Sequence, residues 1–353
     1  MHASIIGVAF GLLVCAAGAV LTVQAPPNAD AVPSFHVYIT NERSGDVTVI
    51  DPRDNQVIAT IPVGKRPRGI CADAHRSRLY VALSGSPITS PNEKKGAETA
   101  AVAVDPTADG IGVIDAASLK LVDVLPAGKD PEGLALSREG AKLYISDEDG
   151  NAAAVVDIAS KKLLKTIPTG EEPEGVATSP DGSRVYITCE TTSQVFVLDP
   201  TKDDTVIAKI DTPQRPRAAA FLPDGTKAYV TCEVGGAVAV IDVAGNKVIK
   251  TIKPTGENVR PMGICIAADG NRVYITTGRG GSIAVIDPKR DEVVNTVTGV
   301  GARPWGIAAA PDGRVLFVAN GPSNDVAVVD ANSLRIIGRI KAGQSPWGVA
   351  IGE

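Results

Sequence analysis

Apolar residues in this chain fall in short runs broken by polar turns, with no long helical stripe. One stretch shows the whole pattern: Pro173-Glu-Gly-Val-Ala-Thr-Ser-Pro-Asp-Gly-Ser-Arg-Val-Tyr-Ile-Thr-Cys-Glu-Thr-Thr-Ser-Gln-Val-Phe-Val-Leu-Asp199. Residues 175–178 form a first run. Pro180-Asp181-Gly182 breaks it, with proline preset for a turn and glycine free to take positive φ. Residues 185–189 are β-branched and aromatic, hence strand-like. Residues 194–198 and 206–210 are two more such runs. The predicted unit is a four-stranded antiparallel sheet that cannot cover both of its own faces.

The chain supplies copies of it. The tyrosine opening the second strand recurs at Tyr38, Tyr80, Tyr144, Tyr186, Tyr229 and Tyr274 and as Phe317, at spacings of 42, 64, 42, 43, 45 and 43. The aspartate ending the third strand recurs at Asp51, Asp115, Asp157, Asp199, Asp242, Asp287 and Asp330. The proline ahead of the first strand recurs at Pro67, Pro131, Pro173, Pro216, Pro261, Pro304 and Pro346. Three anchors agree on seven repeats, and a four-stranded repeat of about 40–45 residues is the signature of a propeller blade. Third strands such as 238–241 and 283–286 are continuously apolar, as suits sheets covered on both faces. Residues 35–64 give only the second to fourth strands of a blade, whereas residues 346–351 read as a first strand with nothing after it. The expectation is an all-β, seven-bladed propeller of four-stranded antiparallel blades, closed by N- and C-terminal strands that share one blade.

Tyr-Ile-Thr-Asn at 38–41, Tyr-Ile-Thr-Cys at 186–189 and Tyr-Val-Thr-Cys at 229–232, each followed by a Val-x-Val-Ile-Asp-like run, resemble the YVTN-family β-propeller repeat. The resemblance covers roughly 35–353. Within that group the chain looks most like the secreted propellers that accompany PQQ-dependent alcohol catabolism and an associated transporter. The seven repeats, the N-terminal apolar segment and Asn-Glu-Arg at 41–43 carry this narrower likeness. It implies a periplasmic, non-catalytic binding or accessory protein. Seven-bladed propellers that resemble lactonases offer an alternative, hydrolysis of a cyclic ester at the same channel mouth, and a cell-surface scaffold is a third reading.

Residues 1–31 differ from the rest, being apolar and uncharged from 5 to 23 and free of Lys and Arg. They are expected to be a signal peptide, leaving 32–353 as the propeller and directing it to the periplasm or outside the cell. An uncleaved anchor is the rival reading and the one route to a membrane. Between the second and third repeat tyrosines the spacing grows to 64, which marks an insertion over 84–110. Arg76 replaces the turn glycine of the other repeats, so that turn is expected to be less regular.

The formal net charge of −5 argues against a nucleic-acid partner. Cys71, Cys189, Cys232 and Cys265 are expected to stay free, because equivalent positions in different blades lie too far apart for a disulfide. Outside 1–31 only His36 and His75 remain, there is no Cys-x-x-Cys-His and no Gly-x-Ser-x-Gly, and no metal, cofactor or catalytic residue is expected.

In a four-stranded blade the linkers and the loops between second and third strands share one face. The middle linker residues are Arg68, Glu132, Glu174, Arg217, Met262, Trp305 and Trp347. Arg66, Arg215, Arg260 and Arg303 stand beside them, and Glu42, Glu148, Glu190 and Glu233 follow second strands. These side chains either pair across blades structurally or line a pocket for a small polar ligand or a protein partner, with arginine as donor and tryptophan as stacking wall. The candidate residues are Arg68, Glu132, Glu174, Glu190, Arg217, Glu233, Arg260, Arg303, Trp305 and Trp347.

Overall fold

A computed structural model describes residues 35–88 and 103–353. Their strands form seven four-stranded antiparallel sheets, one per sequence repeat. The ring closes as the sequence predicts. Pro346–Gly352 lies beside His36–Asn41, with Val37 opposite Ile351 and Ile39 opposite Val349. The N-terminal residues thus supply the outer three strands of blade 1 and the C-terminal residues its innermost strand. Pro67 opens blade 2, and blades 3 to 7 follow in chain order.

Second and third strands are buried almost throughout, as in Val185–Cys189 and Gln194–Asp199. Their side chains pack between blades: Tyr38 and Val49 of blade 1 share a cluster with Leu79 and Val81 of blade 2. Fourth strands alternate and expose Val124, Leu164, Ile249 and Ile337 on the rim. All seven strand-ending aspartates accept a backbone N–H from their own turn, as expected of turn residues.

Two repeat positions hold neighbouring blades together. The glycine after six of the seven linkers, replaced by Ala218 in blade 5, is there because the next blade's backbone comes very close. A Cβ on Gly175 would lie 2.1 Å from the Arg217 carbonyl oxygen, and one on Gly263 2.1 Å from that of Trp305. The hydroxyl of the Tyr-x-Thr motif then clasps the same spot. Thr188 Oγ1 accepts from the Gly175 N–H at 2.8 Å and donates to the Arg217 carbonyl of the next blade at 2.8 Å. Ser146, Thr231, Thr276 and Thr40 repeat this clasp in blades 3, 5, 6 and 1.

The turn at Arg76 differs from expectation. Arg76 takes the left-handed conformation, φ 56°, that Gly182 takes at 73°. Its turn keeps the same two backbone bonds, Asp73 N–H to Arg78 and Arg76 N–H to Asp73, each 2.9 Å. The neighbouring hydrogen bonds therefore hold the geometry without glycine. The four cysteines are free, and burial raises each thiol well above its usual pKa, Cys71 to about 12.

Candidate functional site at the channel mouth

Six of the residues before the linker prolines sit in the left-handed region: Arg66, Asp130, Glu172, Arg215, Arg303 and Ser345. A residue before proline is normally extended, so this bend is imposed by the linker, and it turns Arg66, Arg215 and Arg303 into the mouth. There a cavity of about 540 Å³ opens. Glu42, Arg68, Glu132, Glu148, Glu174, Arg217, Glu233, Trp305 and Trp347 also line it. A narrower cavity of about 220 Å³ runs beneath it along the innermost strands. Glu174, Arg217, Trp305 and Trp347 line both, so they stand at the junction.

The mouth has two unlike walls. On the side of blades 2 to 5, cations and carboxylates satisfy each other across blade boundaries. Arg68, only 3 % exposed, binds Asp130, Glu132 and Glu148. Arg217 binds Glu174 and Glu190 and lies 3.6 Å from Glu233. On the side of blades 6, 7 and 1, Arg279, Arg303 and Arg43 line the cavity without an ion pair among the described residues. The Arg303 guanidinium lies 5.0 Å from the Trp305 ring centroid, and Trp305 meets Trp347 edge to face at 5.5 Å.

At the floor, carboxylate oxygens of Glu132, Glu148 and Glu174 lie within 4.8 Å of one another. Three negative charges cannot coexist at that spacing. Burial opposes the charge on Glu132, but Arg68 and hydrogen bonds from Glu174 and Glu148 outweigh it and bring its carboxyl down to about 2. Burial, then the charge on Glu132, raises Glu148 to about 8. Burial also raises Glu174 well above the usual carboxyl range, with Arg217 opposing the shift and Glu132 adding to it. The three carboxyls are therefore pushed apart in acidity, Glu132 toward its charged form and Glu148 and Glu174 toward their neutral forms. Glu148 keeps 24 % of its side chain exposed and is the member open to the cavity. These oxygens are close enough to share a cation, but Arg68 and Arg217 already place two positive charges against them.

Eight of the ten candidates line the two cavities. Glu190 does not. It is buried at 3 % exposure and holds Arg217 and Arg215 from behind. Arg260 lines neither cavity, because the longer linker into blade 6 places its left-handed residue at Asn258 and not before the proline. Asp130, Arg43 and Arg279 were not singled out by the linker pattern. Arg43 and Arg279 share a repeat position, five residues after Tyr38 and Tyr274, and that recurrence was the available signal. Of the insertion, Ile88 reaches the mouth cavity and Asp105 binds Lys65 at 2.6 Å, while 89–102 lies outside the described residues. The signal peptide expected over 1–31 also lies outside them.

Two family models match parts of the chain: the seven-bladed lactonase β-propeller over residues 175–336 and the YNCE-like β-propeller over 94–184. No curated protein matches. Among solved structures, a proposed 6-phosphogluconolactonase from Bacteroides fragilis aligns at TM-score 0.74 and 16 % identity, covering 93 % of this chain and 100 % of that one. The periplasmic gluconolactonase of Pseudomonas aeruginosa aligns at 0.71 and 20 %, covering 90 % and 99 %. Hydrazine synthase of Kuenenia stuttgartiensis aligns at 0.65 and 20 %, covering 80 % and 89 %. At such identities the likeness is one of fold. The matches are to the lactonase and YNCE-like models, not to the narrower PQQ-associated group, and the chain is a seven-bladed β-propeller.

Proposed function

We propose that the channel mouth binds a small cyclic ester and hydrolyses it. The observation that carries this reading is the carboxyl cluster at the cavity floor, facing a wall of arginines that lack acidic partners. Glu148 has a pKa near the working pH, which suits a general base or acid. As a carboxylate it takes a proton from water while the water oxygen bonds to the ester carbonyl carbon. The negative charge that develops on the carbonyl oxygen meets Arg303 and Arg279. When the ring C–O bond breaks, Glu148 returns its proton to the departing ring oxygen, giving the hydroxy acid. Glu132 and Arg68 are positioning residues that set the acidity of Glu148. The partial match to the lactonase model and the gluconolactonase neighbours favour this chemistry over other uses of the cavity.

The test is base uptake during incubation with a panel of sugar and aliphatic lactones. Hydrolysis should fall about 100-fold or more in Glu148→Gln. Equal rates in the two proteins would remove Glu148 from the reaction.

One observation favours a second reading, a non-catalytic binding protein linked to PQQ-dependent alcohol oxidation. Arg68 and Arg217 are consumed by protein carboxylates, as in a structural ring. Ligand binding without turnover by any lactone would support it. In either case the signal read in 1–31 supports a periplasmic or secreted location, which cell fractionation tests.

A further inference from the structure

We propose that the channel below the mouth receives an unbranched aliphatic tail, so that the ligand is an amphiphile with a polar ring or carboxylate above and a short alkyl chain below. This rests on the lactone reading for the head group but not for the tail. Each blade gives the channel the same two residues, a Gly or Ala followed by an aliphatic. The aliphatics are Ile70, Leu134, Val176, Ile264, Ile307 and Val349, with Ala219 in blade 5. Below Glu174 and Arg217 no charged side chain lines it.

In five of the seven blades the backbone there is also satisfied by the clasp. The N–H groups of Gly133, Gly175, Ala218, Gly263 and Gly348 donate to the clasping hydroxyls of their own blades. The carbonyls of Glu174, Arg217, Met262, Trp305 and Arg68 accept from those same hydroxyls. The wall therefore presents more apolar than polar surface to a ligand. A dry apolar cavity of about 150 Å³ accepts a benzene, so about 220 Å³ suits a tail of about six carbons. The polar mouth opens directly above, through the four residues both cavities share.

Blade 5 offers the means to test it. Ala219 occupies the position filled by Ile, Leu or Val in the other six blades, so Ala219→Leu installs a side chain the repeat already accepts and narrows the channel. With γ-lactones from butyrolactone to dodecalactone, kcat/KM should rise about fourfold per added methylene and level off near a six-carbon tail. Ala219→Leu should bring the plateau to a shorter tail. Hydrolysis that ignores tail length would overturn the channel proposal and leave the lactone reading standing.

If no lactone is hydrolysed, the tail is still tested by octanoate. Trp305 and Trp347 are the two tryptophans of the chain and both stand at the junction. Octanoate should change their emission at a concentration at least about tenfold below that needed with acetate, and Ala219→Leu should reduce that difference. Equal responses to the two acids would overturn the proposal.

Discussion

The Thr188 hydroxyl donates to the carbonyl oxygen of Arg217 at 2.8 Å, across the boundary between blades 4 and 5. The same oxygen would lie 2.1 Å from a Cβ on Gly175. The close approach thus needs glycine on one side, and the hydroxyl satisfies the carbonyl it brings in. Because Arg217 carries both that carbonyl and a guanidinium in the mouth, the clasp also fixes a wall of the site.

Removing the clasp should be costly. Thr188→Ala leaves the Arg217 carbonyl and the Gly175 N–H without their partner, and should destabilise by about 1–3 kcal/mol in denaturant unfolding. Gly175→Ala should cost at least as much, because backbone must move. Ala82 and Ala319 stand at the hydroxyl position in blades 2 and 7, so the ring tolerates a missing clasp, and both variants should still fold.

The pairings in this boundary explain what sequence could and could not show. Tyr, Asp and Pro anchors repeat in phase and set the blade number, and the first strand missing at the N-terminus but present at 346–351 set the ring closure. The threonine of Tyr-x-Thr was visible as a motif, but its acceptor lies in the next repeat, 29 residues away. Glu132 and Glu148 looked like separate ring members. Their proximity depends on a linker and a second-strand end meeting at the floor, which no spacing encodes. Arg260 matched the linker pattern by position, yet two extra residues moved the bend that would have aimed it.

Stability should depend on pH with opposite signs at the two ends. Glu148 has its folded pKa raised to about 8, above the ordinary carboxyl value. Its proton therefore favours the fold most at low pH, and this contribution is lost as pH rises from about 4.5 through about 8. Glu132, lowered to about 2, contributes above the ordinary carboxyl range and loses that contribution as pH falls toward 2. Melting temperature should decline between about pH 4.5 and 8, and Glu148→Gln should flatten that decline. An identical slope in the variant would show that Glu148 does not hold its proton there.

The two walls should respond differently to losing an arginine. Arg68→Ala leaves Asp130, Glu132 and Glu148 without their buried cation, and should cost about 3–5 kcal/mol. Arg303 has no carboxylate partner among the described residues, so Arg303→Ala should change unfolding little and weaken ligand or lactone affinity instead. Chemical denaturation beside a binding measurement separates these effects. A large stability loss in Arg303→Ala would make that wall structural as well.

The repeated tyrosines should also differ, although the sequence presents them as equivalents. The Tyr229 hydroxyl binds Asp291, carried by the third-to-fourth-strand turn of blade 6, and Lys227 reaches the other oxygen of Asp291 at 2.7 Å. Tyr144 repeats this with Asp204 of blade 4 at 2.6 Å, with Lys142 completing the set. These latches tie the lower edge of one blade to the next. The Tyr186 hydroxyl is buried without a partner among the described protein groups and packs its ring on Phe221 at 4.5 Å. A buried bond to a charged acceptor contributes about 1.5–3 kcal/mol. Tyr229→Phe and Tyr144→Phe should therefore lose about that much stability. Tyr186→Phe removes only an unmatched polar atom and should be neutral or stabilising. The comparison is internal to one fold, since all three rings are fully buried at the same repeat position. Equal losses in the three variants would mean that ring packing, and not the latch to the neighbouring aspartate, sets the worth of this tyrosine.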